Sequence, residues 1–213
     1  MSTRGGYFST DRIITLTDGV IAIVITLLVL ELSIPVVSEL QDSDGLWPEV
    51  RHLWREYLAY VVSFLIVGIL WLYHHTVYRR IRSADGTLIS LNIFFLMTVS
   101  IMPFTSALVA KNSDERLAAI IYGASLFLSA LMLAGMFFYA SWKRRLVDPD
   151  LPAAFIKREN ISAAVILVVL ATATFLGFWT PYSTYIILTV LVLYYWATTL
   201  MNREGVSATP HRD

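Results

Sequence analysis

Six uninterrupted apolar stretches dominate the chain, at approximately 13–34, 57–78, 87–110, 117–141, 161–180 and 182–201. Coiled as a helix, about 20 apolar residues cover the roughly 30 Å of a bilayer's hydrocarbon. Each stretch meets that length. A membrane β-barrel would need strands of about ten residues that alternate polar and apolar, and these runs do not alternate. Buried in lipid, a backbone must satisfy its own hydrogen bonds, which leaves helices as the form such runs can take. The expectation is an all-α integral membrane protein with six transmembrane helices in one domain, 1–213, and a short polar tail at 203–213. Composition closes the alternatives. The chain is 57% hydrophobic and 15% charged, against about 45–50% and about 25% in soluble domains. Sixteen basic residues balance sixteen acidic ones without a long basic run, which argues against a nucleic-acid partner. With no cysteine, disulfides and thiolate metal sites are excluded.

Basic residues set the orientation. Twelve of the sixteen, including Arg4, Arg12, Arg79, Arg80, Arg82, Lys143, Arg144, Arg145, Lys157 and Arg158, fall on one side of the six runs. Arg51, Arg55, Lys111 and Arg116 fall on the other. The positive-inside rule then places both termini in the cytoplasm of a multi-pass plasma-membrane protein. The first run is longer than a secretory h-region and no A-x-A site follows it, so it is expected to remain as the first membrane helix. The first outer loop is acidic, with Glu39, Asp42, Asp44 and Glu49, and the piece from Trp47 to Tyr57 is expected to lie along the surface.

The first helix, ended by Pro35, carries two carboxylates, Asp18 and Glu31. An ionisable side chain in a membrane helix is expensive and marks a functional site by default. At about 100° per residue, Leu16, Ile23, Leu27, Leu30 and Ile34 form one aliphatic stripe. Gly19, Ala22 and Thr26 form a slim stripe beside it that lets another helix approach. Asp18 points about 140° away from Ile23 by the same rotation. Depth arithmetic brings Asp18 level with His74 or His75 near the inner end of the second helix and with Asn92 of the third. The expectation is a polar cluster of Arg12, Thr17, Asp18, His74, His75 and Asn92 tying three helices together. Adjacent histidines point about 100° apart, so a shared metal is not expected; no cofactor is foreseen. Pro103 should kink the third helix, with Ser100 or Thr105 covering freed backbone groups.

These residues also carry a resemblance. Arg12-x-x-x-Leu16-Thr17-Asp18 resembles the Arg-x-x-x-Phe-Ser-Asp signature of the lysosomal potassium channel family (transmembrane protein 175). Trp71-Leu-Tyr-His74-His75 is similar to its Trp-x-x-His-His pattern, and Leu91-Asn92 with Met102-Pro103-Phe104-Thr105 is similar to its third helix. The matches cover about the first half of the chain. Phe is replaced by Leu and Ser by Thr. The resemblance implies a prokaryotic single-repeat member that assembles as a homotetramer, with four copies of the first helix lining the ion path. It implies a constriction of aliphatic tips at Ile23, Leu27 and Leu30, with the Thr26 hydroxyl bearing on selectivity. The Thr-Val-Gly-Tyr-Gly filter of other potassium channels is absent from the sequence.

The function expected on this basis is a passive, K⁺-preferring cation channel in the lipid bilayer, with K⁺ and other monovalent cations as permeant partners. Glu31 near the outer mouth would raise the local cation concentration. The alternative is a proton-coupled secondary transporter using Asp18 as proton carrier, which would call for inverted repeats or broken helices. An enzyme is not expected, since no nucleophile–base pair lies at matching depth.

Overall fold

The computed structural model of the chain describes residues 9–33 and 46–207. They are helical almost throughout: α1 (Thr10–Leu30), α2 (Leu46–His52), α3 (Trp54–Tyr78), α4 (Gly86–Ser100), α5 (Met102–Lys111), α6 (Arg116–Ser141), α7 (Ala153–Leu176) and α8 (Pro181–Ser207). Among the described residues, five segments are long and apolar enough to cross a membrane: Thr10–Leu30, Trp54–Tyr78, Gly86–Lys111, Arg116–Arg144 and Ala153–Leu176. The sixth expected run, 182–201, falls within α8.

Boundaries differ from the hydropathy reading where polar residues extend a helix or a tight turn ends it. α1 stops at Leu30, because the N–H groups of Glu31 and Leu32 turn back three residues, to Leu28 and Val29. Ile34 and Pro35, and the acidic residues Glu39, Asp42 and Asp44, lie outside the described residues. α7 begins at Ala153 rather than 161, since Lys157, Arg158 and Glu159 are good helix formers that need no hydrocarbon. The surface piece expected from Trp47 to Tyr57 divides at Leu53 into α2 and the first turn of α3.

The third span is two helices. Pro103 has no N–H to give, and the chain breaks at Ile101 to restart with Pro103 in the first turn of α5, where the missing donor costs nothing. On one side of the break Ser100 Oγ donates to the Leu96 carbonyl (2.7 Å), and on the other Thr105 Oγ1 donates to that of Met102 (3.2 Å). Lipid supplies no hydrophobic drive between helices, so small residues and hydroxyl pairs hold the bundle. α6 packs on α4, α5, α7 and α8. A methyl group at Gly123 of α6 would meet Thr174 Oγ1 of α7 at 2.6 Å. Ser63 of α3 bonds both Ser106 of α5 and Tyr122 of α6, each at 2.8 Å.

On the basic side, the loops after α3 and α6 clasp each other. Ile81 and Val147 form a single antiparallel bridge, with Arg82 N–H to Leu146 O at 2.8 Å and Asp148 N–H to Arg80 O at 3.2 Å. Lys143 and Arg144 take left-handed backbone angles (φ 52° and 55°) to make the turn. Arg82 pairs with Asp148 at 2.8 Å. The Asp148 carboxyl, which also accepts the Asp150 N–H, is held below the ordinary carboxylate value, first by that N–H and then by Arg82. Asp85 caps α4 through the Leu88 N–H (3.0 Å) and accepts the Tyr139 hydroxyl (2.7 Å), with Arg145 at 3.5 Å. Partial burial pushes its carboxyl upward, but those donors outweigh burial and hold it below the usual 3.8.

A depressed carboxylate adds stability that is complete above the unfolded value and is lost as pH falls through the folded one. Asp85→Asn keeps a competent cap and removes the charge. Thermal unfolding of purified protein should therefore show the variant melting below wild type at neutral pH. The two curves should converge as pH drops below the ordinary carboxylate value of 3.8; a pH-independent gap would contradict the assignment.

Candidate functional site

α1 has two faces of opposite character. Ser9 starts it, its hydroxyl accepting the Asp11 N–H at 3.3 Å. Ile13, Thr17, Ile21, Val24 and Leu28 are buried, against α3, α4 and α5. Ile21, Val24 and Leu28 are each only 2% exposed, whereas Ile23 is 59%, Leu27 41% and Leu30 75% exposed. Among the described residues, the aliphatic stripe read from the sequence is therefore exposed in the single chain, Leu16 included at 53%. Beside it Gly19, Ala22 and Thr26 are exposed too, and nothing lies within 4 Å of a methyl group placed on Gly19. Thr26 Oγ1 gives its proton to the helix, to Ile23 O at 2.8 Å and Ala22 O at 3.2 Å. Its lone pairs are left facing outward. Glu31, at the C-cap, lines a narrow cleft with Leu28, Glu56 and Tyr60; Glu56 in turn accepts the Ser33 N–H at 2.8 Å.

A buried polar cluster joins α1, α3 and α4. Asn92 of α4 is its hub: its Nδ2 donates to Thr17 Oγ1 (3.1 Å) and its Oδ1 sits 2.9 Å from His74 Nε2. An amide oxygen can only accept, so with the amide so oriented His74 carries its proton on Nε2. The Tyr78 hydroxyl also reaches Oδ1, at 3.4 Å. The His74 ring stacks between Tyr78 and Phe95, at 4.4 and 5.5 Å between centroids. Thr17, His74 and Asn92 are all buried.

Asp18, His75 and Arg12 are not in that cluster, which corrects the six-residue expectation. Asp18 is exposed and accepts the Trp71 indole N–H at 2.8 Å. His75, exposed, lies 6.1 Å from the same Trp71 ring. Arg12 lines an open cleft with Leu16, Ile89 and Asn92. The reason is rotational. Neighbours on a helix are about 100° apart, so burying Thr17 turns Asp18 outward, and burying His74 turns His75 outward. A hydrogen-bonded neutral trio is also cheaper to bury than a carboxylate. Trp71 and Tyr78 were not singled out as site residues. Their signal lay in helical spacing, Trp71 four before His75 and Tyr78 four after His74.

The two halves should respond differently to substitution. Asn92→Ala strands buried partners, a loss of about 1–3 kcal/mol, and should lower the melting temperature and yield of folded protein measured by size-exclusion chromatography. Asp18→Asn retains an oxygen that can accept from Trp71 and should change that elution profile little. Equal damage from both would show Asp18 to be part of the structural core.

Comparison with known proteins agrees with this geometry. Residues 12–103 match the family described as endosomal/lysosomal potassium channel TMEM175, a range that holds the α1 signature, Trp71 to His75 and Asn92. A potassium channel of Streptomyces collinus is 36% identical over 149 residues, taking in 67% of this chain and 71% of that one. The endosomal/lysosomal proton channel TMEM175 of Mus musculus is 36% identical over 137 residues, which are 58% of this chain and 28% of that protein. The crystal structure of a lysosomal potassium-selective channel TMEM175 homolog from Chamaesiphon minutus superposes with a TM-score of 0.79 at 26% identity, over 89% of this chain and 97% of that one. These relatives are channels rather than enzymes, and what the first helix, the Trp–His pair and the Asn92 hub suggested is thereby settled: the chain belongs to the TMEM175 potassium channel family.

Proposed function

We propose that this protein is a passive, K⁺-preferring cation channel built from four copies, with α1 of each lining the path. The observation that carries the reading is the split of α1: Ile21, Val24 and Leu28 are packed within the chain while Ile23, Leu27 and Leu30 are exposed. Four such stripes around an axis make stacked aliphatic rings, which gate by dewetting and admit an ion only if it sheds part of its water. K⁺ holds water less tightly than Na⁺, so a ring of this kind favours K⁺. Thr26, its proton spent on the helix, offers oxygen lone pairs at that level. Glu31 stands at the C-terminal end of α1, where the helix dipole already places negative charge; four such carboxylates concentrate cations at the outer mouth. The slim Gly19, Ala22 and Thr26 stripe gives a neighbouring copy room to approach. α8, 27 residues long, serves as the sixth crossing and returns the chain to the cytoplasmic side of the plasma membrane. The names of the bacterial relatives, potassium channels, support the ion assignment.

Asp18 keeps a second reading in view, a proton-coupled transporter with Asp18 as the carrier. It is favoured by the exposure of its carboxylate, which has one neutral partner, Trp71. Reconstituted protein separates the two. A channel gives unitary current steps and a reversal potential that follows the K⁺ gradient; a coupled transporter gives a reversal potential that shifts with pH in fixed stoichiometry.

Substitutions on the proposed path should spare assembly. Ile23→Asn and Leu27→Ala should leave elution unchanged and alter unitary conductance or K⁺ over Na⁺ preference in bilayer recordings; unaltered permeation in both would remove α1 from the path. Glu31→Gln should lower conductance in about 0.01 M KCl, where charges act over about 30 Å, and have little effect in about 1 M KCl, where they act over about 3 Å.

A further inference from the structure

Away from α1, a groove runs between α3, α7 and α8 with α6 as its floor, and encloses a cavity of about 300 Å³. Its wall is apolar: Ile66 and Leu70 of α3, Val165 and Val169 of α7, Val192 of α8 and Ala130 of α6. Toward the basic side the character changes in order. The buried side-chain polar atoms left without a hydrogen-bond partner among the described residues are Tyr73 Oη and Trp196 Nε1. Tyr73 follows Leu70 by about one turn on α3, and Trp196 follows Val192 by about one turn on α8, so both donors stand at the same end of the cavity. Beyond them come cations. Arg80, on the turn after α3, and Arg158, about two turns before Val165 on α7, both lie over the Phe155 ring, at 5.0 and 5.5 Å from its centroid. Lys157 adjoins them, exposed. Two carboxylates lie nearby, Glu159 at 3.6 Å from Arg158 and Asp148, whose N–H bonds the Arg80 carbonyl and whose carboxylate is already paired with Arg82 at 2.8 Å. With Arg82 and Asp148 matched to each other, Arg80, Lys157 and Arg158 face Glu159.

From this sequence of apolar trough, uncharged donors and cationic rim we infer that the groove holds one anionic phospholipid of the leaflet on the basic side. Its acyl chain lies between α3 and α7, its glycerol ester oxygens accept from Tyr73 and Trp196, and its phosphate sits at Arg80 and Arg158. The occupant is fixed by charge complementarity and by depth. An aqueous anion would not need the trough, and a hydrocarbon would leave the two donors unsatisfied in the membrane, where an unpaired polar group is costly. The inference does not depend on the channel reading, since none of these residues belongs to the proposed path.

The test uses the full-length protein in detergent, titrated with dioleoylphosphatidylglycerol or dioleoylphosphatidylcholine and read by native mass spectrometry. The anionic lipid should be retained at a concentration lower by about thirtyfold, the scale expected for two basic side chains at a membrane surface. Arg80→Gln with Arg158→Gln should abolish that preference and leave retention of the zwitterionic lipid unchanged. Val165→Trp, at a position already 56% exposed, should reduce retention of both. Equal retention of the two lipids by the unsubstituted protein, or a preference that survives the double substitution, overturns the inference. A second arm rests on one conservative aromatic exchange. Phosphatidylglycerol with brominated acyl chains should quench the unsubstituted protein more than Trp196→Phe, and identical quenching would also overturn it.

Discussion

The hydrogen bond from Asn92 to Thr17 decides what the rest of the molecule shows to its surroundings. It joins α4 to α1 inside the bundle at 3.1 Å, and Asn92 is held in turn by His74 of α3. A buried polar pair has few acceptable geometries, so it fixes the rotation of α1 more sharply than aliphatic packing could. Once Thr17 faces in, Ile21, Val24 and Leu28 follow at helical spacing. Ile23, Leu27 and Leu30 are then turned out, and Asp18 is carried to the flank beside Trp71. The display of α1 is the consequence of a contact none of its displayed residues makes.

The remaining helices are held by a different device. α6 lies among α4, α5, α7 and α8, and small residues and hydroxyls join the buried Leu126, Leu133, Met136 and Phe137 in its contacts. Gly123 lets Thr174 close in, Ser63 links to Ser106 and Tyr122, and Ser125 reaches Thr105 at 3.2 Å. Every one of these pairs is uncharged, as befits a low-dielectric interior. Charges are kept to the ends, where Asp85, Arg145, Arg82 and Asp148 join two loops on the basic side.

Much of this was legible in the sequence. Run length marks the membrane helices, and a rotation of about 100° per residue sets the aliphatic stripe of α1 apart from its other faces. Depth alone brings Asp18, His74 or His75, and Asn92 to one level. It could not divide six candidates into inside and outside, because depth is blind to rotation: Thr17 and Asp18 share a level but not a face. The early start of α7 was hidden for a related reason. Hydropathy detects the part of a helix that lipid covers, and Lys157 to Glu159 lie beyond it. The break at Ile101 was foreshadowed by Pro103, although as a bend rather than two helices.

That break has a mechanical consequence. α1 rests on both pieces, touching α4 through Thr17 and Asn92, and α5 where Leu28 shares a cleft with Ser106 and Ala107. Because Ile101 interrupts the hydrogen-bonded ladder between the pieces, a tilt of the outer piece need not be transmitted to the inner one. The first helix is thus braced by two separately oriented props rather than by one continuous rod.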